Sequence, residues 1–164
     1  MLYLCSCATR HSSVLKHQHD QNRKGVCMSD FSHLRVKSYD FWEIYVHENQ
    51  GYLGRCVLWC KREDALSLTH ATVEEQHELF LVLRALEVAL QHCFQPNLLN
   101  YAFLGNQNYH LHCHVVPRYE ESRSFMGYTF NDFRFGENYK TDHGFVYDYD
   151  FLQKVKRHLK KALQ

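Results

Sequence analysis

The sequence predicts a single α+β domain in which a β-sheet packs against helices. The first observation is a pair of runs rich in aromatic and β-branched residues, at 41–47 and 52–60, which is the composition of β-strands. Residues 48–51 lie between them and favour a turn, so we expect the two runs to form an antiparallel hairpin. A third strand is predicted at 99–105.

The second observation is an amphipathic helix with a clear start signal. Thr72 and Glu75 fit the capping box, in which each side chain accepts a hydrogen bond from the other residue's backbone N–H. Apolar residues then recur at three- and four-residue spacing up to Cys93, and the helix should end before Pro96. We expect its apolar face to pack on the sheet.

The third observation is the stretch Tyr109–Tyr119, in which histidines alternate with apolar residues. Alternate side chains of a strand lie on one face about 7 Å apart, so His110, His112 and His114 would share a face. Pro117 has no N–H to donate and should end this strand. The residues that would face the core are Leu111, Cys113 and Val115.

The chain divides into three parts. Residues 1–30 are polar with little apolar periodicity, so we expect a disordered N-terminal arm. Residues 31–119 hold the predicted domain, with folded structure beginning near Tyr39. Residues 120–164 should form an aromatic-rich, mostly irregular extension and a terminal helix with Asp150 as N-cap, both packed on the same domain. The apolar face of that helix comprises Phe151, Leu152, Val155 and Leu159.

Composition excludes several classes of partner. The formal net charge is only +1, which argues against a nucleic-acid partner. The 7 cysteines are odd in number and include no C-x-x-C pair, so reduced thiols in a cytoplasmic protein are the better interpretation. The apolar N-terminal run is too short for a signal peptide, and Arg84 and Glu87 interrupt the most apolar later run, so we expect no membrane partner.

Three chemistries are open to the histidine strand. Neutral imidazoles bind zinc, but three spread along a strand do not converge easily on one ion, and no carboxylate lies within the motif. The histidines could instead be hydrogen-bonded members of a polar half of the core. The third hypothesis is attack on phosphorus, because imidazole near its usual pKa of ~6.5 is either a nucleophile or a proton donor around pH 7.

The motif itself favours the third hypothesis. His110 to Val116, with three histidines alternating with apolar residues and a further apolar pair, resembles the signature of the histidine triad (HIT) family. Residues 39–119 present a Trp-containing strand, a turn, a second strand, a capped helix and a third strand in the order that this family uses. The segment 125–139 is similar to the C-terminal extension of a small, bacterial-type subgroup of the family.

The resemblance implies a fold, a reaction and residue roles. The fold would be an antiparallel sheet of about five strands flanked by helices, often paired as a homodimer. The reaction would be hydrolysis or transfer at the α-phosphate of a nucleotide. His112 would be the nucleophile that becomes nucleotidylated, His114 would contact the scissile phosphate and handle protons, and His110 would orient the nucleophile through hydrogen bonding. Asn49 would contact the ribose and Asn106 the phosphates.

Two departures from the family pattern concern the leaving group. Better-known members carry a fourth histidine in the second strand, where this chain has Arg55, which can hold a phosphate but cannot act as a neutral base. They also have a longer loop before the triad, and here Gln107 and Asn108 are the residues that could replace it.

The predicted function is therefore a nucleotide hydrolase or nucleotidyl transferase that works through a covalent histidine–nucleotidyl intermediate. The alternative is a non-catalytic nucleotide-binding or interaction module that retains the pocket. We expect no metal or other cofactor in the protein, although the substrate can carry Mg²⁺.

Overall fold

A five-stranded antiparallel sheet organises the chain and confirms the predicted fold class. The computed structural model describes residues 28–142 and 147–164, and only the backbone of residues 28–30. The sheet order is β1-β2-β3-β5-β4, and the strands are β1 (Arg35–Ser38), β2 (Trp42–Val46), β3 (Cys56–Cys60), β4 (Leu98–Ala102) and β5 (His112–Arg118). The other elements are helices α1 (Val73–Phe94) and α2 (Tyr149–Ala162), hairpin strands β6 (Arg123–Phe125) and β7 (Tyr128–Phe130), and 3₁₀ helices Met28–Leu34 and Leu68–His70.

The β2–β3 connection is longer than predicted, because the second strand begins only at Cys56. The side chain of Gln50 is fully buried and closes this loop. Its amide nitrogen donates to the carbonyl oxygens of His47 (2.6 Å) and Arg55 (2.8 Å), and its oxygen accepts from the backbone N–H of Gly54 (2.8 Å). The Gln50 side chain therefore holds residues 52–55 in a loop, although their composition alone favours a strand.

Helix α1 has the predicted bounds and the predicted cap. The hydroxyl of Thr72 accepts from the N–H of Glu75 at 3.2 Å, and the carboxylate of Glu75 accepts from the N–H of Thr72 at 2.8 Å. The helix ends at Phe94, before Pro96. Its inward face packs on the sheet through the buried side chains of Leu79, Val82, Leu86, Ala89 and Leu90.

Strand β5 begins at His112, so His110 and Leu111 precede it, but the core face that the alternation predicts is present. Leu111, Cys113 and Val115 are buried in the hydrophobic core. The prediction that Pro117 ends the strand is wrong, since it lies opposite Leu99 of β4 and β5 continues for another residue. Strand β3 pairs with β5 only as far as Val115, so Pro117 removes no hydrogen bond to β3.

The fold begins earlier than the predicted Tyr39. The 3₁₀ helix Met28–Leu34 and strand β1 precede that residue, and β1 pairs with β2 at the sheet edge. Only Val36 of β1 is buried, and one apolar residue among four gives no alternation to recognise. Within the predicted disordered arm, residues 1–27 lie outside the described residues.

The C-terminal region is more regular than predicted. Strands β6 and β7 form a hairpin whose two central residues, Met126 and Gly127, have φ of 57° and 82°, as the primed hairpin turns require. Asp148, not Asp150, caps α2 by accepting from the N–H of Phe151 at 2.7 Å, because a cap must precede the first helical residue. The predicted apolar face of α2 is buried in the common core, and the aromatic Phe145 lies outside the described residues.

No helix within residues 28–142 or 147–164 combines the length and the apolar character that crossing a membrane needs.

Candidate active site

A cleft of about 830 Å³ opens at one end of the sheet. Strand β5, the loop between β2 and β3, the loop before β5 and residues 139–141 meet around it. The structure brings together the predicted site residues Asn49, Arg55, Asn106, Gln107, Asn108, His112 and His114. It places the side chain of His110 outside this lining.

His112 is the buried histidine of the cleft, with 5% of its surface exposed. Its Nδ1 lies 2.7 Å from the backbone carbonyl oxygen of His110. A carbonyl oxygen only accepts, so Nδ1 carries the proton and Nε2 keeps its lone pair in the neutral ring. Burial lowers the pKa of His112 below its usual value, which favours that neutral form.

His110 is hydrogen-bonded to His112 through its backbone. The backbone carbonyl of His110, rather than its ring, accepts the hydrogen bond from His112. Nε2 of the His110 ring is 2.6 Å from the carbonyl oxygen of Cys60. The same ring stacks on Trp59, with 4.2 Å between the ring centroids. Trp59 also stacks on His112 at 5.3 Å, so one indole holds both imidazoles in a row.

His114 continues this row into the cleft. Its ring centroid lies 5.0 Å from that of His112, at a nearly perpendicular interplanar angle of 80°. Its Nδ1 is buried and has no hydrogen-bond partner in the described part of the chain. Burial, together with the nearby charges of Arg55 and His112, lowers the pKa of His114 to about 4. At neutral pH the ring is therefore uncharged.

Arg55 directly precedes β3 and is only 4% exposed. Its Nη1 donates to the hydroxyl of Thr141 at 3.0 Å, and its guanidinium carbon lies 5.8 Å from the ring centroid of Tyr139. Both contacts are to neutral groups, so they position the cation without neutralising it.

Sequence reasoning missed His47 as a site residue. It lines the cleft, and its ring centroid lies 5.6 Å from that of His114. Its Nδ1 accepts from the backbone N–H of Asn49 at 2.9 Å, which leaves the ring proton on Nε2 in the neutral form. The hairpin register is the signal that could have identified it. The N–H of His47 donates to the carbonyl oxygen of Arg55 at 3.0 Å, so His47 lies beside a residue already assigned to the site.

The C-terminal wall, defined here as residues 139–142, forms one side of the cleft. Asn49 donates from Nδ2 to the carbonyl oxygen of Asp142 at 2.5 Å. The backbone N–H of Lys140 donates to the hydroxyl of Tyr52 at 3.1 Å. With the bond from Arg55 to Thr141, these contacts join the wall to the β2–β3 loop.

Arg118, at the end of β5, ties the segment before the wall to the sheet. Its guanidinium donates to both carboxylate oxygens of Asp132, at 2.6 and 3.1 Å, and both side chains are 2% exposed. The same group donates to the carbonyl of Glu137 at 2.8 Å and to the side chain of Asn100 at 2.7 Å. A buried bidentate pair of this kind fixes position as well as charge.

The loop of Asn106, Gln107 and Asn108 also borders the cleft. Asn106 and Gln107 are exposed, and Asn108 is half-buried. Their amides can therefore reach a ligand without losing core contacts. Among the described residues, no group of three or more His, Cys, Asp or Glu side chains is arranged to hold a metal ion.

Comparison with known proteins agrees with this geometry. The family model for the HIT domain matches residues 46–121. No curated protein matches the chain at a significant level.

Three solved structures illustrate the similarity. A hypothetical histidine triad nucleotide-binding protein from Sulfolobus tokodaii has a TM-score of 0.63 at 13% identity, over 79% of this chain and 83% of its own. A histidine triad protein from Bradyrhizobium japonicum has a TM-score of 0.63 at 18% identity, over 79% and 90%. Diadenosine triphosphate hydrolase from Plasmodium falciparum has a TM-score of 0.58 at 11% identity, over 79% and 76%.

At these identities the structures establish the fold, and the family model accounts for the strands and the triad that line the cleft. Residues 46–121 of this chain are therefore a HIT domain, by the family model, the motif and the fold.

Proposed function

We propose that this protein is a nucleotide hydrolase or nucleotidyl transferase that acts at an α-phosphate through a covalent intermediate on His112. The observation that carries the proposal is the hydrogen bond from Nδ1 of His112 to the His110 carbonyl, at 2.7 Å. It leaves the Nε2 lone pair available in a side chain that lines the cleft and that burial keeps neutral. These are the properties of an activated nitrogen nucleophile.

The reaction proceeds in two displacements. Nε2 of His112 attacks the α-phosphorus, a P–N bond forms, and the bond to the leaving group breaks with its electron pair on the departing atom. The ring becomes cationic, and the His110 carbonyl that accepts its Nδ1–H stabilises that charge. Water or another acceptor then attacks phosphorus, and His112 leaves as neutral imidazole.

The surrounding side chains have supporting roles. His114 and His47 line the same cleft and each can donate one ring N–H to the phosphoryl oxygens. We assign Asn49 to contact with the ribose, and the amides of Asn106, Gln107 and Asn108 border the space for the rest of the substrate. Among the solved structures of this fold, one is a diadenosine triphosphate hydrolase, which supports a nucleotide as the substrate class.

The test is a panel of dinucleoside polyphosphates and an adenosine phosphoramidate, with release of nucleoside monophosphate as the readout. Wild type should turn over at least one of them, and His112→Ala and His112→Asn should lose more than about 10³-fold in kcat, as expected for loss of a nucleophile. Equal turnover by all three proteins would rule out the assignment.

The alternative is a nucleotide-binding module without catalysis. It is favoured by the exposure of Asn106 and Gln107, because a leaving-group loop that contacts solvent is not preorganised. Nucleotide binding by calorimetry, without turnover or any adduct on His112, would establish this alternative.

We also propose a homodimer that pairs through β4. This strand is at the sheet edge and leaves Leu98 and Tyr101 exposed by 41% and 43%. The adjacent face of α1 exposes Phe80 by 73%, and such an apolar patch beside an open edge favours a second copy. Sedimentation should show a dimer for wild type and a monomer for Phe80→Glu, whereas a monomeric wild type would contradict the proposal.

We further propose that the reaction needs no protein-bound metal and that the protein is cytoplasmic. Dialysis against a chelator should leave turnover unchanged, except for Mg²⁺ carried by a polyphosphate substrate. The described cysteines, Cys56, Cys60, Cys93 and Cys113, are free thiols, which suits a reducing compartment. Imaging of the tagged protein in its own cell tests the location directly.

A further inference from the structure

Arg55 places a buried positive charge in the cleft without a counter-ion. It is 4% exposed, and its polar contacts are with the hydroxyl of Thr141 and the ring face of Tyr139. No carboxylate of the described residues forms an ion pair with it, although Glu48 lies on the exposed rim of the same cleft. A buried charge without a partner is costly, so an anionic ligand would be strongly favoured there.

Two polar atoms in this part of the cleft lack partners. Nε of Arg55 and Nδ1 of His114 are both buried and have no hydrogen-bond partner among the described residues. Nearly all buried polar atoms in folded proteins are hydrogen-bonded, so two unsatisfied atoms on neighbouring cleft residues indicate where ligand atoms belong. The guanidinium of Arg55 carries only donors at every accessible pH, so any ligand atom that it binds must be an acceptor.

The two residues that carry these unpaired atoms supply charge but no acid at pH 7. Arg55 is permanently protonated and cannot act as an acid. His114 is neutral at pH 7, because burial and the charges of Arg55 and His112 lower its pKa to about 4. An amine that leaves phosphorus needs a proton to become a stable product, whereas a phosphate or sulfate group leaves as a stable anion.

We propose that this cleft selects nucleotidyl substrates whose leaving group departs as an anion, such as phosphate, pyrophosphate or sulfate, and that Arg55 binds that anion. The inference rests on the proposed function and specifies its substrate class. In the first displacement a P–N bond forms to His112, the Pα–O bond breaks, and the electron pair stays on the departing oxygen, where the Arg55 cation stabilises it without proton transfer. In the second, water attacks phosphorus, the P–N bond breaks with its electron pair on His112, and the water proton passes to solvent. Phosphoramidates, which release an amine, are the disfavoured class.

The experiment compares two substrates that share the adenylyl group and differ in the leaving group. Adenosine 5′-phosphosulfate releases sulfate, and adenosine 5′-phosphoramidate releases ammonia. The kcat/KM ratio of the two is measured for wild type, Arg55→Gln and Arg55→Lys. Arg55→Gln should lower kcat/KM for the phosphosulfate by about 10- to 100-fold, the range of a charge-assisted hydrogen bond. The phosphoramidate should lose less than the phosphosulfate does, so the ratio of the two kcat/KM values should fall, and Arg55→Lys should restore part of the preference.

The outcomes separate the two proposals. If neither substrate is turned over and neither gives an adduct on His112, the proposed function fails, and this inference with it. If adducts form but Arg55→Gln lowers both substrates equally, or wild type uses the phosphoramidate as well as the phosphosulfate, only this inference is overturned. If Arg55→Gln does not fold, inhibition of the wild type tests the inference instead. Pyrophosphate should compete with the phosphosulfate substrate, and methylamine at the same concentration should not. Absence of inhibition by pyrophosphate would overturn the inference.

Discussion

The two sides of the cleft are built by different means. The floor, defined as Arg55, His112 and His114, lies on or directly beside neighbouring strands of the sheet, and backbone pairing fixes its spacing. The C-terminal wall is held by side-chain contacts. Arg55 binds Thr141 in the wall itself, and Arg118 of β5 binds Glu137 in the segment before it. The floor therefore depends on the fold as a whole, whereas the wall depends on a few polar side chains that single substitutions can remove.

The largest effect should come from Arg118→Ala, which detaches the segment before the wall. It leaves the Asp132 carboxylate buried and unpaired, so the free energy of unfolding should fall by about 3–5 kcal/mol in urea titrations. The control is Arg35→Ala, whose ion pair with Glu43 is 48% exposed on the arginine side and should cost at most about 1 kcal/mol. Equal losses would show that the wall is not anchored through Arg118.

Alanine substitutions at Gly54 and Gly136 compare the steric packing beside the floor with that before the wall. Gly54 and Gly136 have φ of +82° and +86°, so alanine is strained at both. A Cβ at Gly54 would lie 2.7 Å from Cδ2 of Phe94, whereas one at Gly136 meets nothing within 4 Å. Gly54→Ala should therefore lower the free energy of unfolding by about 1–3 kcal/mol more than Gly136→Ala does. Equal costs would mean that Phe94 moves aside freely.

The pH profile tests the electrostatics of the floor. His112 must be neutral to attack, and burial lowers its pKa, so kcat/KM should be constant above pH 7 and fall as pH drops through a value below 6.5. Below that midpoint the loss should approach about tenfold per pH unit for one proton. A midpoint above 6.5 would show that the floor stabilises the cation instead.

The smallest effect should come from Asn49→Ala, which removes one contact between the β2–β3 loop and the wall. Loss of its bond to the Asp142 carbonyl, and of a ribose contact, should raise KM by about 2- to 10-fold, the range of one or two neutral hydrogen bonds. Asn138→Ala, on an exposed residue outside the cleft lining, is the matched control and should leave KM unchanged.

The comparison also shows what sequence can predict. The two histidines of the floor follow a two-residue period and a known motif, and Arg55 occupies the position of the family's fourth histidine, so the sequence predicts all three. The wall was not, since Tyr139, Lys140 and Thr141 follow no period and reach the cleft only through long-range bonds such as Arg55 to Thr141. The Gln50 contacts that delay the start of β3 are of the same kind. His47 lies between these cases, because it could be recognised only once the hairpin register was known.

The most direct test of the central claim is trapping of the covalent intermediate. Wild type would be mixed with a dinucleoside polyphosphate, quenched in base within milliseconds, digested and examined by mass spectrometry. We predict a nucleotidyl group on His112 that accumulates and decays at rates consistent with turnover, and that is absent from His112→Asn. Turnover without any histidine adduct, at a rate that His112→Asn leaves unchanged, would contradict the account.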